Sequence, residues 1–468
     1  MTNAHLPQTL GDLKRSGWQS RGIKAELQRN LIAKIRSGEN LFPRIIGYED
    51  TVMPELENAL LAGHDIIFLG ERGQGKTRIM RSLVTLLDEW LPIVAGCEIN
   101  DDPLAPICSH CKQQVADLGD RAPVAWLHRS SRYGEKLATP DVTIADLIGD
   151  IDPIKVAEGR HLSDEGVIHY GLIPRTNRGI FSVNELPDLH EKIQVGLFNL
   201  LEERDVQIRG YKFSLPLDIF IIATANPEDY TSRGRIITPL KDRFGAQVRT
   251  HYPRTLAQEV VIMRQEMAPF IHEGLRLQIP EFMEQIVAEI SQAARRRQDI
   301  NHFSGVSVRM TIHNIETLVS NALRRAVRLK ETGVVPRITD LPHLTSTMKG
   351  KLEWNFAEAA EEDEKLGALV REAVHTVFKY SFQSGAFNEF LREFAAPAEI
   401  VVSELTPASE YAEIVSRYPE LRQEAGRLVS GATPGMLAAA CEFMLEGLAV
   451  SGRIVRTTSK GHARYTQQ

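Results

Sequence analysis

The octapeptide Gly70-Glu-Arg-Gly73-Gln-Gly75-Lys76-Thr77 has the GxxxxGK[ST] spacing that a triphosphate cradle requires. Glycines at those positions let backbone N–H groups converge on a phosphate without Cβ clashes, at the positive end of the helix that follows. Lys76 would bridge the β- and γ-phosphates of a nucleoside triphosphate, and the Thr77 hydroxyl would ligate Mg²⁺. Such a site also needs an acidic residue at the end of a neighbouring strand to hold Mg²⁺, and often a glutamate to activate water. The segment Gly179-Ile-Phe-Ser-Val-Asn184-Glu185 has that form, with an asparagine where the aspartate is usual. Asn184 could hold a metal-bound water but brings no charge, and Glu185 remains as the candidate general base. A third run, Ala223-Thr-Ala-Asn226, places a polar amide where the attacking water would sit.

These side chains need strands to carry them, and the sequence supplies three. Residues 65–69 (DIIFL), 179–183 (GIFSV) and 218–223 (DIFIIA) are short, β-rich apolar runs. Runs of that kind suit central strands of a parallel sheet covered on both faces. The cradle follows the first run directly and opens a helical stretch at 78–87, which is the context the motif demands. From 45 to 253 the pattern alternates strand, turn and helix. Beyond Pro253 strands are expected to stop, and residues 256–345 carry the 3.6-residue period of a helical bundle, as at Ile312, Ile315, Val319 and Leu323. An acidic helix follows around Glu358–Glu364, read as a solvated face. Residues 395–409 read as a linker, and the tail from Pro434 as a helix and then a short strand pair. Residues 1–40 read as one or two short polar helices. The expected domains are therefore 1–40, 41–253, 254–347 and 348–468.

Composition bounds the function classes. Of 468 residues, 43% are hydrophobic and 25% charged, the mix of an ordinary globular protein. The net charge of −6 argues against a dedicated polyanion binder. Arg295, Arg296 and Arg297, with Arg324, Arg325 and Arg328, make local basic patches. They read as solvated faces or subunit contacts, because no aromatic residues interleave them for nucleic-acid stacking. The longest apolar run, 217–225, is interrupted by Asp218 and falls short of the ~20 residues of a membrane helix. Lys14, Arg15 and Arg21 have no apolar stretch behind them, so no secretory signal is read and a cytoplasmic location is expected.

At this point the chain resembles the AAA+ ATPases, and within them the magnesium chelatase I subunit and MoxR-type proteins, over about residues 40–345. The resemblance implies an α/β P-loop core with a parallel sheet, a helical lid and a helical C-terminal extension. Phe42-Pro-Arg-Ile-Ile-Gly47-Tyr48 looks like the segment lining the adenine pocket. Asn226 matches the sensor-1 position, Asp242-Arg243-Phe244-Gly245 resembles the arginine-finger motif, and Ser307-Val308-Arg309 is similar to the sensor-2 motif. Lys76 and Glu185 stand 109 positions apart, more than one βα step requires, which leaves room for two insertions. One is the cysteine segment. The other, 146–179, resembles a hairpin insertion of this clade, and a further hairpin is suggested at 203–211. ATP and Mg²⁺ are the implied cofactors, bound between subunits of a homo-oligomeric ring, expected as a hexamer. The implied role is remodelling or activation of a partner protein, one that carries a metal-adhesion domain in some relatives. A true tetrapyrrole chelatase motor and a nucleotide-gated scaffold with little hydrolysis stay open beside it, the latter because of Asn184.

Four cysteines in a chain of this length do not make a disulfide framework. Cys97, Cys108 and Cys111 cluster, and His110 and His128 lie near them in sequence. Structural zinc sites usually close with four ligands and a second CxxC is missing, so buried reduced thiols are preferred over a zinc site.

Overall fold

The structure is a computed structural model that describes residues 6–152, 154, 165–206, 215–226, 236–301, 305–355, 359–383, 385–394, 398–429, 431, 433–459 and 461–467. The chain divides into two compact units, residues 1–251 and 252–468.

In the first unit, helices α1 (Ile23–Ser37) and α2 (Val52–Leu61) precede strand β1 (Ile66–Leu69), and helix α3 (Lys76–Ser82) follows it. After helix α4 (Ser109–Leu118) come β2 (Tyr133–Leu137), β3 (Gly179–Asn184) and β4 (Ile219–Ala225), then helix α5 (Thr238–Arg243) and β5 (Ala246–Arg249). These five strands form one sheet in the order β5-β1-β4-β3-β2, and every neighbouring pair is parallel. Alternate residues of each strand feed different cores. Ile66, Phe68, Ile180, Phe220 and Ile222 pack under α1, α2 and α3, whereas Ile67, Phe181, Val183, Ile221 and Ala223 pack with Leu186, Leu197 and Leu240. Burial on both faces is why the three central runs read as unbroken apolar sequence.

The N-terminal helix belongs to this unit. Ile23, Leu27 and Leu31 of α1 are buried in the same core as β1. Glu26 of α1 takes both terminal nitrogens of Arg132, at 2.7 and 2.6 Å, and both side chains are buried. The hairpin insertion is present as an antiparallel pair, Gly149–Ile151 with Ile168–Tyr170, and residues 155–164 between them lie outside the described residues. The second hairpin pairs Asp205–Val206 with Leu215–Pro216, with 207–214 likewise outside.

The second unit is built on α6 (Glu281–Arg296), α7 (Val308–Leu329), α8 (Ala359–Ser381) and α9 (Pro434–Val450). The expected lid (254–347) and extension (348–468) share one hydrophobic core, in which Phe282 of α6 stacks on Phe443 of α9 at 4.5 Å between ring centres. Strands do not stop at Pro253. Arg276–Leu277 pairs with Gly333–Val334, and Glu399–Ser403 pairs antiparallel with His462–Thr466, which also pairs with Val455–Ser459. The stretch read as a linker thus contains a strand, with Ile400 and Val402 buried and Glu399 and Val401 exposed. Five residues beside prolines are too short a run for that alternation to stand out from the sequence.

Candidate nucleotide site

Parallel order places the ends of β1, β3 and β4 along one edge of the sheet, and the predicted residues meet there. The cradle starts where Gly70 N–H donates to the Ala225 carbonyl (3.2 Å) and Thr250 N–H to the Leu69 carbonyl (2.8 Å). A Cβ on Gly70 would lie 2.0 Å from Thr250 Oγ1 and 2.2 Å from Gln74 Oε1, so packing itself demands glycine. Gly73 and Gly75 take left-handed φ values of 78° and 75°, and Gly75 caps the N-terminus of α3. A side chain would strain that backbone.

Lys76 opens α3 and is buried. Its ammonium donates to the carbonyls of Gly70 and Glu71 and, at 2.8 Å, to Asn226 Oδ1. The P-loop lysine and the amide after β4 are therefore in direct contact, although 150 positions separate them. Thr77 Oγ1 lies 3.2 Å from Asn184 Oδ1 and 3.1 Å from Asn184 Nδ2. Thr224 ties the next residues together: its hydroxyl donates to Asn184 Oδ1 at 2.8 Å and accepts from Glu185 N–H at 2.9 Å. Glu185 sits in the left-handed region (φ 58°, ψ 48°), a conformation that costs a non-glycine residue of order 1–3 kcal/mol. The Thr224 bond and the Asp188 N–H to Glu185 carbonyl bond (2.9 Å) hold it there.

Two contributors were not read from the sequence. Thr224, between Ala223 and Ala225, carries no motif signal of its own beside Asn226. Glu135 comes from β2, and Asn184 Nδ2 donates to its Oε1 at 3.3 Å. Arg81 of α3 holds the same carboxylate with two bonds of 2.8 and 3.0 Å, which keep the guanidinium more firmly charged. A carboxylate therefore stands beside the neutral Asn184 after all. Thr77, Asn184 and Glu135 offer oxygen donors, which fit a hard cation such as Mg²⁺.

No protein-family model matches the chain. It is 27% identical over 241 residues to magnesium-chelatase subunit ChlI of a Nostoc species, covering 48% of this chain and 58% of that one. It is 29% identical over 234 residues to the chloroplastic ChlI-1 subunit of Arabidopsis thaliana, covering 47% and 50%. The chain thus spans little more than half the length of these relatives. A solved magnesium chelatase complex of BchI and BchD superposes with a TM-score of 0.36 at 20% identity, covering 69% of this chain and 98% of that one. The fold assignment rests instead on the strand order and the P-loop. The first unit carries its P-loop on a five-stranded parallel sheet, and over about half its length the chain is similar to magnesium-chelatase I subunits.

Other residues that the AAA+ resemblance singled out are placed as follows. Gly47 has a φ of 83°, and the buried Tyr48 hydroxyl sits 2.6 Å from the Gln74 carbonyl and 2.7 Å from the His251 carbonyl, tying this segment to the P-loop. Burial pushes the Tyr48 phenol up, so it stays a neutral donor. Arg243 is not joined to the P-loop of its own chain by any bond among the described residues. Its guanidinium binds Glu202 Oε2 (3.0 and 2.5 Å) and the Pro239 carbonyl (2.7 Å), and lies 4.6 Å from the centre of the Phe198 ring. Arg309 is the second residue of α7, exposed, in the second unit. Cys97, Cys108 and Cys111 do come together, and buried Asp101, absent from the sequence reading, joins them. Hydrogen bonds from the Cys108 and Cys111 thiols pull the Cys97 thiol down to about 3, whereas burial raises the Asp101 carboxyl. His110 is exposed and His128 bonds Ser130; neither belongs to the group.

Proposed function

We propose that the chain is an ATP-binding and ATP-hydrolysing motor that remodels or activates a partner protein. One observation carries the reading: Lys76, Thr77, Asn184, Glu185 and Asn226, from three separated motifs, are linked by hydrogen bonds at one sheet edge. In it, Lys76 neutralises β- and γ-phosphate charge, and exchanges the carbonyls of Gly70 and Glu71 for phosphate oxygens. Bound Mg²⁺ supplies charge neutralisation of the phosphates, held by Thr77 with Asn184 and Glu135 beside it. Glu185 takes a proton from water as the water oxygen attacks the γ-phosphorus, and the bond to the bridging oxygen of ADP breaks. Asn226 orients that water while it steadies Lys76.

Arg243 is assigned the finger that reaches a neighbouring subunit's nucleotide in a ring, and the Asp242-Arg243-Phe244-Gly245 motif supports that role. It must leave Glu202 to do so. The relatives are named magnesium-chelatase subunits, which favours a chelatase motor as the second reading. A scaffold that binds ATP with little turnover is favoured by the neutral Asn184. Steady-state phosphate release from Mg·ATP by the purified chain separates the scaffold from both motor readings: either motor turns over, and a scaffold binds ATP without releasing phosphate.

A further inference from the structure

Cys97, Asp101, Cys108 and Cys111 converge in the first unit, and none of them is a residue of the nucleotide site. One ligand atom from each lies within 4.8 Å of the other three. Around a tetrahedral zinc ion with Zn–S bonds of about 2.3 Å, neighbouring sulfurs stand about 3.8 Å apart, so small side-chain rotations close the set. Three thiols and one carboxylate match zinc's borderline-soft preference and complete the count of four.

Local backbone is already shaped for it. Gly96, with φ 81°, turns the chain after the strand Trp90–Val94 and presents Cys97. Cys97 Sγ accepts N–H groups from Ile99 (3.4 Å) and Asp101 (3.3 Å), and Cys108 Sγ caps α4 by accepting from Cys111 N–H (3.3 Å). Backbone donors to sulfur stabilise charge on a metal-bound thiolate. The independent sign is Asp101. Its side chain is fully buried, and Oδ2 accepts from Ile107 and Cys108 N–H at 3.1 and 2.9 Å, but among the described residues Oδ1 has no hydrogen-bond partner. An unsatisfied buried carboxylate oxygen costs free energy unless a cation or donor meets it, and this carboxylate has an oxygen within 4.8 Å of the three sulfurs.

We propose that Cys97, Asp101, Cys108 and Cys111 bind one zinc ion that fastens the segment between Trp90–Val94 and α4 to the AAA+ core. Binding displaces the thiol protons to solvent, and no redox step is involved. The test uses the full chain, purified under reducing conditions without chelator. Elemental analysis should find about one zinc per chain, and cobalt(II) replacement should give the strong visible and charge-transfer bands of a tetrahedral thiolate site. Cys111→Ser should lose the metal. Asp101→Asn, whose carbonyl can still accept the two backbone N–H groups, should keep the fold by circular dichroism yet weaken zinc binding at least tenfold in a competition titration with a chromophoric chelator. Metal-free protein that also fails to bind added zinc or cobalt overturns the proposal, as does a Cys97–Cys108 or Cys108–Cys111 disulfide in reductant-prepared protein. Zinc affinity unchanged in Asp101→Asn overturns the four-ligand assignment.

Discussion

Single side chains divide the work at the sheet edge, and each can be removed with a distinct result. Lys76 is buried, and its ammonium donates to the Glu71 carbonyl and to Asn226 Oδ1, oxygens that a phosphate can replace. Lys76→Ala should weaken ATP binding at least tenfold in isothermal titration, since a charge-assisted contact is worth ~1.5–3 kcal/mol; unchanged affinity would contradict the cradle. Glu135 accepts a hydrogen bond from Asn184 Nδ2, and its contribution is charge. Glu135→Gln should raise the Mg²⁺ concentration needed for half-maximal ATPase activity several-fold, with ATP affinity in the absence of Mg²⁺ little changed. An Mg²⁺ titration of activity that overlays wild type would remove Glu135 from the metal side and leave Asn184 alone there.

At the scale of elements, what was legible in the sequence follows from burial. The runs that became β1, β3 and β4 are covered on both faces, so their composition announced them. Strand β2, Tyr-Gly-Glu-Lys-Leu, lies at the sheet margin with Leu137 exposed, and its polar residues hid it. Glu135 was missed with it. Asp101 was missed for another reason: ligand counting by cysteine and histidine spacing does not see a carboxylate four residues after Cys97. Helix α1 read as a separate polar segment because its buried face is narrow, yet the Glu26–Arg132 pair fastens it to the core, with Arg132 also donating to the Arg178 carbonyl at 2.9 and 2.7 Å. Removing one partner of a buried pair strands the other charge. Glu26→Ala should therefore cost about 3–5 kcal/mol, lowering the melting temperature by roughly 2–4 °C per kcal/mol for a unit of this size. A calorimetric shift near zero would mean that α1 is only loosely attached.

For the molecule as a whole, the proposal of a ring rests on Arg243. Within one chain its ion pair with Glu202 is partly exposed, and such a pair is worth ~0–1 kcal/mol, weak enough for a neighbour's phosphate to displace it. Arg243→Ala should bind ATP nearly as wild type and be almost inactive, because a finger arginine contributes ~10³–10⁵ in rate. Mixing it with Lys76→Ala should restore part of the activity, since mixed interfaces join an intact cradle to an intact finger. Co-assembly is checked by light scattering. A mixture no more active than the sum of its parts would count against action between subunits.

The central claim is that one sheet edge binds ATP through Lys76 and breaks it through Glu185. Single-turnover release of γ-phosphate from pre-bound Mg·ATP, wild type beside Glu185→Gln, tests it most directly. With Glu185 as the base, ATP occupancy is equal in the two proteins and the release rate is ~10²-fold or more slower in the variant, as loss of a general base entails. Equal release rates at equal occupancy would contradict it.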